Sequence, residues 1–376
     1  MPASSQPWII LGNLENRRVE FFQQALTSFS LPPAQTIAYT DFLAGEPLSL
    51  PEHSIVRIES PGENFDVEKR LLAAGLEDAQ REGSPTIEGR QLQDLEFDRG
   101  LILHPRQWYL GFRRVLTELA ARLPAGSRWM NDPQDIACMF DKPACYRRFA
   151  EAGIPTPESL GAIGGYEELI ARMEETGMRR VFLKLAHGSS ASGVVAFRWS
   201  PTHQQAITTA ELVRSGGEVR LYNSLKLRTY TSTRDLADVI DALCRQRVHV
   251  ERWIPKAAID DERLDLRIVV IAGRARHVVV RQSRGPITNL HLGNRRGDWE
   301  EVKRRLGDQW LTIEETCRRV AALFPRSLYA GVDIAVEADF RRHVVLEANA
   351  FGDLLPGVEC DGLNTYAAEV QAMLDD

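Results

Sequence analysis

The sequence predicts a mixed α/β and α+β protein: an N-terminal α/β unit over residues 1–134, then a longer region in which a mostly antiparallel sheet is backed by helices. Three observations point there. Strand-like apolar runs alternate with helix-spaced segments through the first third of the chain. Beyond residue 180, strand-like segments far outnumber the helices able to cross over between parallel neighbours. The length of 376 residues, at about 150 per domain, makes two or three units and allows about three quarters of the unfolded surface to be buried.

Trp8–Gly12 is a short apolar run, and residues 17–26 set Val19, Phe21, Phe22, Ala25 and Leu26 at helical spacing, giving strand, turn and helix. Residues 54–58 read as a second strand. Ser60-Pro-Gly-Glu63 then has capping-box spacing before a helix through Val67, Leu71 and Leu72. Residues 108–123 place Leu110, Phe112, Val115, Leu116, Leu119 and Leu123 on one helical stripe. A single helix is expected over 135–153, stopped by Gly153 and the stiff Pro155-Thr-Pro157 exit.

A helix around 166–175 precedes a hairpin of 180–185 and 194–198 whose tip is a loop of small residues, 188–193. Residues 220–231 alternate as a ribbon, 234–244 are helical, and 248–254 form a strand ended by Pro255. Strands at 266–272 and 276–280 turn about Gly273; 310–323 is a helix, and 331–336 and 343–346 are the last strands.

Lys and Arg number 46 and Asp and Glu 52, a formal charge of −6 with both signs interspersed. No basic block supplies a footprint for a phosphate backbone, so nucleic acid is not expected as a partner. The five cysteines are odd in number, scattered and without C-x-x-C spacing. That points away from a disulfide framework or a zinc site and toward a reducing cytoplasm. The first residues lack the basic and long apolar regions of a signal peptide, and no later stretch nears the roughly 18 apolar residues of a membrane span. The expectation is a soluble, cytoplasmic protein with no membrane partner.

Gly188-Ser-Ser-Ala-Ser-Gly193 has the glycine spacing of a P-loop but Val194 where its lysine should stand, and no G-x-G-x-x-G, H-E-x-x-H or G-x-S-x-G element is present. Lys184 lies within Val-Phe-Leu-Lys-Leu. Alone it reads as a solvent-facing or snorkelling lysine, because a buried ammonium without an anion is costly. Followed by a loop rich in backbone N–H and hydroxyl groups, it reads as a phosphate ligand. Glu347 and Asn349 are two apart in an apolar strand and share a face. With Asp333, itself in an apolar strand, they could bring together three hard oxygen ligands for Mg²⁺ held partly by substrate phosphates. The alternative is that Glu347 pairs with a local arginine and Asn349 merely ends its strand.

Taken in order, Asp141-Lys142 ahead of Ala-Gly-Ile-Pro-Thr-Pro157, Leu183-Lys184 with Gly188 to Gly193, Val250-Glu251-Arg252-Trp253-Ile254, Asp265-Leu-Arg267, Thr288-Asn289-Leu-His291, Ala-Gly-Val-Asp333 and Leu346-Glu347-Ala-Asn349 resemble the ATP-grasp superfamily. The resemblance is greatest to the branch of glutathione synthetase and the RimK-type carboxylate–amine ligases, and it covers roughly residues 135 to 360.

The resemblance implies two α+β subdomains clamping ATP: 135–250, with the phosphate loop and an inserted ribbon and helix, and 251–376, with the metal site. It implies that Lys142 and Lys184 contact the phosphates and that Gly188, Ser189, Ser190 and Gly193 close on them. Glu251, Arg252, Trp253 and Ile254 become the hinge that reads adenine, and Asp265 lies near the ribose. Arg267 and Asn289 face the phosphates as catalytic groups, while Asp333, Glu347 and Asn349 hold one or two Mg²⁺ ions, with Mn²⁺ as a substitute. The implied activity is amide formation through an acyl phosphate with release of ADP and phosphate, in which cations offset the charge of the nucleotide. The substrate class is a small-molecule amino acid or a peptide, and dimers are common in the branch. On the same residues a kinase, or a nucleotide-binding protein without turnover, stays open. The presence of every metal ligand and phosphate lysine favours the enzyme.

Two stretches depart from the simpler pattern: the segment between Arg198 and Val248, and residues 1–134, which carry no transferable motif. In the latter, Arg57 stands in an apolar strand beside the capping-box helix start at Ser60, a setting that could receive the carboxylate of an amino-acid-like substrate. Alternatively Ser60 and Glu63 only cap the helix and Arg57 pairs with Glu59 or Glu63. His291 reads equally as a substrate-facing or phosphate-facing side chain or as a structural loop histidine. Arg281, Arg284, Arg295 and Arg296 read as a solvated face, or as the source of one phosphate-binding arginine.

Overall fold

Strand β1 (Trp8–Gly12) is the centre of a parallel sheet ordered β2-β1-β3-β4, with β2 (Gln35–Ala38), β3 (Ile55–Ile58) and β4 (Arg128–Trp129). The computed structural model describes residues 6–46 and 50–375. β1 and β3 are buried along their whole length, because helices 17–28 and 365–375 cover one face while helices 65–74 and 105–120 cover the other. Strand order reverses between β1 and β3, so the loops leaving their C-terminal ends diverge and open a crevice between them.

The second sheet is antiparallel, in order β5-β10-β6-β7-β8-β9. Its strands are β5 (Ser159–Gly161), β6 (Arg180–Leu185), β7 (Val195–Ser200), β8 (His203–Ser215), β9 (Glu218–Tyr230) and β10 (Val248–Arg252). Helices Tyr166–Glu175 and Thr233–Arg245 close a core of its own, built on Leu169, Met173, Phe197, Leu236, Ile240 and Leu243. The third sheet, also antiparallel, runs β14-β13-β12-β15-β16 with β11 paired to β12. Its members are β11 (Ala258–Ile259), β12 (Glu262–Ile271), β13 (Arg274–Ser283), β14 (Arg295–Arg296), β15 (Tyr329–Val336) and β16 (His343–Asn349). The first and third sheets share their cores: Trp8, Ile10 and Phe22 pack with Ile271, Tyr329 and Tyr366. Ile136, Met139, Cys145 and Phe149 join the same side of the molecule, against β12, β15 and β16.

Three local expectations are corrected. The single helix over 135–153 is two, Pro133–Phe140 and Lys142–Glu151, broken at Asp141. Pro143 has no N–H to give to the carbonyl four residues back, so the helix restarts, and Asp141 caps the new start by accepting from the Ala144 N–H at 3.0 Å. The helix after β3 begins at Asn64, whose side chain accepts from the Val67 N–H; Glu63, at φ 69°, turns the chain between Ser60 and this cap. The ribbon has two long strands, since β8 pairs with β9 and turns at Gly216 and Gly217, both with positive φ. Among the described residues no helix is long and apolar enough to cross a membrane.

Candidate active site

A cleft of about 830 Å³ lies between the second and third sheets, and the loops after β1 and β3 wall one end of it. Among the described residues, nine Lys or Arg and six Asp or Glu line it, an excess of positive charge in a chain whose formal charge is −6. The cleft is therefore matched to an anion.

Two lysines stand together at the cleft, one at a helix start and one in the second sheet. Lys142 opens helix Lys142–Glu151, donates to the Gly188 carbonyl at 2.6 Å and lies 3.7 Å from Glu347. Lys184, in β6, is 2.5 Å from Glu251. Burial disfavours its charge, but Glu251, and beyond it Glu347 and Asp333, outweigh this and raise its pKa. The 188–193 loop follows. Ser190 and Ala191 lie at φ 51° and 60°, and a Cβ at Gly193 (φ 62°) would stand 2.9 Å from Leu243 and 3.0 Å from Leu185. Backbone N–H groups of such a loop can be turned toward an anion because the chain leaves the ordinary α and β regions there.

The third sheet faces these groups with carboxylates and guanidiniums. Asp333 on β15 stands directly across from Glu347 on β16, and the Asn349 side-chain amide donates to Glu347 and to the Gly331 carbonyl, each at 3.3 Å. Arg267 grips Asp333 at 2.5 and 3.0 Å, and Arg281 reaches the same carboxylate at 3.3 Å. Burial alone would raise the Asp333 pKa; the two arginines hold it below the usual carboxylate range. Among the described residues no group of three or more His, Cys, Asp or Glu side chains could cage a metal ion. Asp333, Glu347 and Asn349 offer oxygen donors only, which fits a hard divalent cation that completes its shell with phosphate and water.

Most residues singled out in the sequence meet in this cleft: Lys142, Lys184, Gly188, Ser189, Ser190, Glu251, Arg252, Ile254, Asp265, Arg267, Asn289, His291, Asp333, Glu347, Asn349 and Ser60 all line it. Gly193 and Trp253 do not. Gly193 packs on Leu185 and Leu243, and the Trp253 ring lies 5.2 Å from Phe182. Asp265, expected at the ribose, has both oxygens engaged: Arg281 at 2.6 Å on one, Lys256 at 2.8 Å and the Thr288 hydroxyl on the other. A carboxylate buried this deeply needs such partners. Asn289 caps the turn Leu290–Leu292 by accepting from the His291 N–H at 2.9 Å.

Arg57 is a correction. It is fully buried and outside the cleft, with one nitrogen each for Glu59 at 2.5 Å, Glu369 at 2.6 Å and Asp353, and with its guanidinium over Phe22, Tyr329 and Tyr366. The Glu59 pairing is the local alternative; Asp353 and Glu369 come from the far end of the chain. Sequence reasoning missed Asn16, Arg17, Arg18, Lys256 and Thr288, which also line the cleft. Only Lys256, directly after the strand-ending Pro255, carried a positional signal.

No family model matches the sequence, and no curated protein matches it. Among solved structures the chain is similar to D-cycloserine synthetase DcsG, at 12% identity over 97% of this chain and 99% of that one, with a TM-score of 0.53. It is similar to the macrocyclase MdnC bound with precursor peptide MdnA from Microcystis aeruginosa MRC, at 13% identity over 98% and 99% of the two chains and a TM-score of 0.52. A third likeness is to the ATP-grasp ligase PsnB complexed with minimal precursor, Mg and ADP, at 16% identity over 100% of both chains and a TM-score of 0.51. Identity this low speaks to architecture. With a parallel sheet followed by two antiparallel sheets that face each other across a cationic cleft, the chain has the ATP-grasp fold.

Proposed function

We propose that this protein is an ATP-dependent ligase that joins a carboxylate to an amine through an acyl phosphate, releasing ADP and phosphate. The observation that carries this reading is one constellation: Lys142, Lys184 and the 188–193 loop on one wall, and Arg267, Arg281, Asp333, Glu347 and Asn349 on the other. Lys142 and Lys184 offset the charge of the nucleotide phosphates, and the loop closes on them. Asp333, Glu347 and Asn349 would hold a magnesium ion, which would supply further charge neutralisation for phosphoryl transfer. Arg267 and Arg281 stand where charge gathers on the transferred phosphoryl group. A substrate carboxylate oxygen bonds to the γ-phosphorus as the bond to ADP breaks. The amine then takes the acyl carbon, phosphate leaves with the electron pair, and the amine proton passes to solvent. No protein nucleophile is required.

The cleft continues past Lys142, Lys184 and the 188–192 stretch to Asn16, Arg17, Arg18, Ser60 and Glu63, which supports room for a substrate beside a nucleotide. PsnB and MdnC are both seen with precursor peptides, and this supports an amino acid or a peptide as the substrate class here. The five free thiols suit a reducing cytoplasm.

The test is product analysis with Mg-ATP and pooled amino acids and peptides, with and without hydroxylamine. ADP and a hydroxamate are expected. Glu347→Gln should lose on the order of a thousandfold in kcat while melting close to the wild type. AMP as product overturns the reading, and a stable phosphorylated product formed without an amine replaces it with a kinase.

A further inference from the structure

The phosphate-facing loop belongs to the β6–β7 connection, yet its exit is held from β8. Thr208 and Thr209 are both fully buried, at a break in the β8–β9 register: Thr208 faces Arg228, whereas Ala210 faces Asn223, so residues 224–227 are thrown out of the ladder. The two hydroxyls do different things. Thr208 donates to the Val194 carbonyl at 2.8 Å and accepts from the Ala210 N–H at 2.9 Å, which secures the bulge itself. Thr209 donates to the Ala191 carbonyl at 2.7 Å and accepts from the Val194 N–H at 3.1 Å, so one hydroxyl clamps two points of the loop.

Ala191 is the residue that most needs holding. At φ 60° it occupies a left-handed conformation that costs a side-chain-bearing residue energy and persists only where the surroundings enforce it. Its neighbour Ser190 is in the same region. Ala191, Val194 and Ile207 of β8 pack against one small core of Phe182, Ala196 and, from the opposite wall, Ile287, so the same short stretch shares its packing with the hairpin and the far side of the cleft.

We infer that Thr209 is a positioning residue for nucleotide binding: its hydroxyl holds residues 191–194 in the shape on which phosphates are received, and through it the inserted β8–β9 hairpin sets the conformation of the loop. The inference rests on the nucleotide reading proposed above and adds to it a group that touches no reactant.

Thr209→Val keeps the branched shape and removes the hydroxyl; Thr209→Ala removes it with less bulk, should the valine variant not fold. Thr209→Ser keeps the hydroxyl. Thr316→Val, which removes a buried hydroxyl bonded to His343 far from the cleft, controls for a general loss of stability. Two readouts are needed: backbone hydrogen exchange over 187–197 in the ligand-free protein, and the Kd of Mg-AMPPNP by calorimetry. In Thr209→Val, exchange at 191–194 should rise and Kd should weaken, each by about tenfold, the scale of one or two buried hydrogen bonds. Thr209→Ser and Thr316→Val should resemble the wild type in both. Unchanged exchange at 191–194, a rise spread evenly over the sheet, or no rescue by serine overturns the inference. Equal Mg-AMPPNP binding by wild type and Thr209→Val overturns it while leaving the nucleotide reading intact. A wild-type protein that does not bind Mg-AMPPNP overturns both.

Discussion

His187 and His249 flank the lysine region of the cleft without lining its main chamber. His187 directly precedes the 188–193 loop, stacks on Tyr109 at 4.1 Å between ring centres and lies 3.1 Å from an Arg106 nitrogen. His249 pairs across the ladder with Lys184 and lies 3.6 Å from Glu251. Burial pushes both down to about 4, against the opposing pull of Asp141 on the first and of Glu251 on the second. Their folded values lie below the unfolded value of about 6.5, so the unfolded chain takes up these protons first and stability falls as pH drops from about 6.5 to about 4. The loss is on the order of 3 kcal/mol per histidine at the acid end of that window. Melting temperature measured against pH should show this fall in the wild type and a shallower one in the double variant His187→Gln/His249→Gln. Lys184 was legible in the sequence because an ammonium in an apolar strand demands an anion. His187 was not, because its partners Arg106 and Asp141 stand 81 and 46 positions away and nothing local announces them.

Elements meet the cleft through close backbone approach as well as through side chains. The segment after β16 lies directly on β15: a Cβ added at Gly352 would stand 2.6 Å from the Gly331 Cα, and the reverse holds for Gly331. Four arginines from separate elements hold this segment. Arg18 reaches the Phe351 carbonyl and Asp353, Arg57 reaches Asp353, Arg267 the Gly352 carbonyl and Arg296 the Pro356 carbonyl. Gly352→Ala should therefore destabilise the protein by about 1–3 kcal/mol in urea unfolding, since backbone must move to admit the methyl group. Gly285→Ala, whose added Cβ would meet only ordinary contacts, should change stability by less than about 0.5 kcal/mol. Apolar spacing made seven stretches legible as helical, whereas Trp299–Leu306 and Thr365–Asp375 were not read from it. The boundary at Asp141 and Pro143 was missed because the apolar spacing runs on across it and only the cap and the proline mark the break, and β8 was missed because its outer half is polar and exposed.

At the scale of the whole molecule, the charge cluster around Arg57 joins β3, the segment after β16 and helix Thr365–Asp375. Arg57→Met should cost about 3–5 kcal/mol in chemical denaturation, because it leaves Glu59, Asp353 and Glu369 buried with Arg18 as their remaining cation. Burial drives the Glu369 pKa well up despite Arg57, and Glu369→Gln, which keeps the shape and a carbonyl acceptor for the Arg57 guanidinium, should cost less than Arg57→Met in the same denaturation. The sequence by itself determined the fold class and the order of most of the longer elements, and it marked Lys184, Asp333, Glu347 and Asn349, because periodicity and a charged or amide group in an apolar strand are local properties of a chain; Lys142, at a helix start, was marked only by resemblance. Only the tertiary structure decided that Arg57 is sealed among three carboxylates, that Asp265 serves Lys256 and Arg281, and that Thr209 clamps the exit of the 188–193 loop. Those outcomes depend on which distant groups share a buried space, where every charge and hydroxyl must find a partner wherever along the chain it lies.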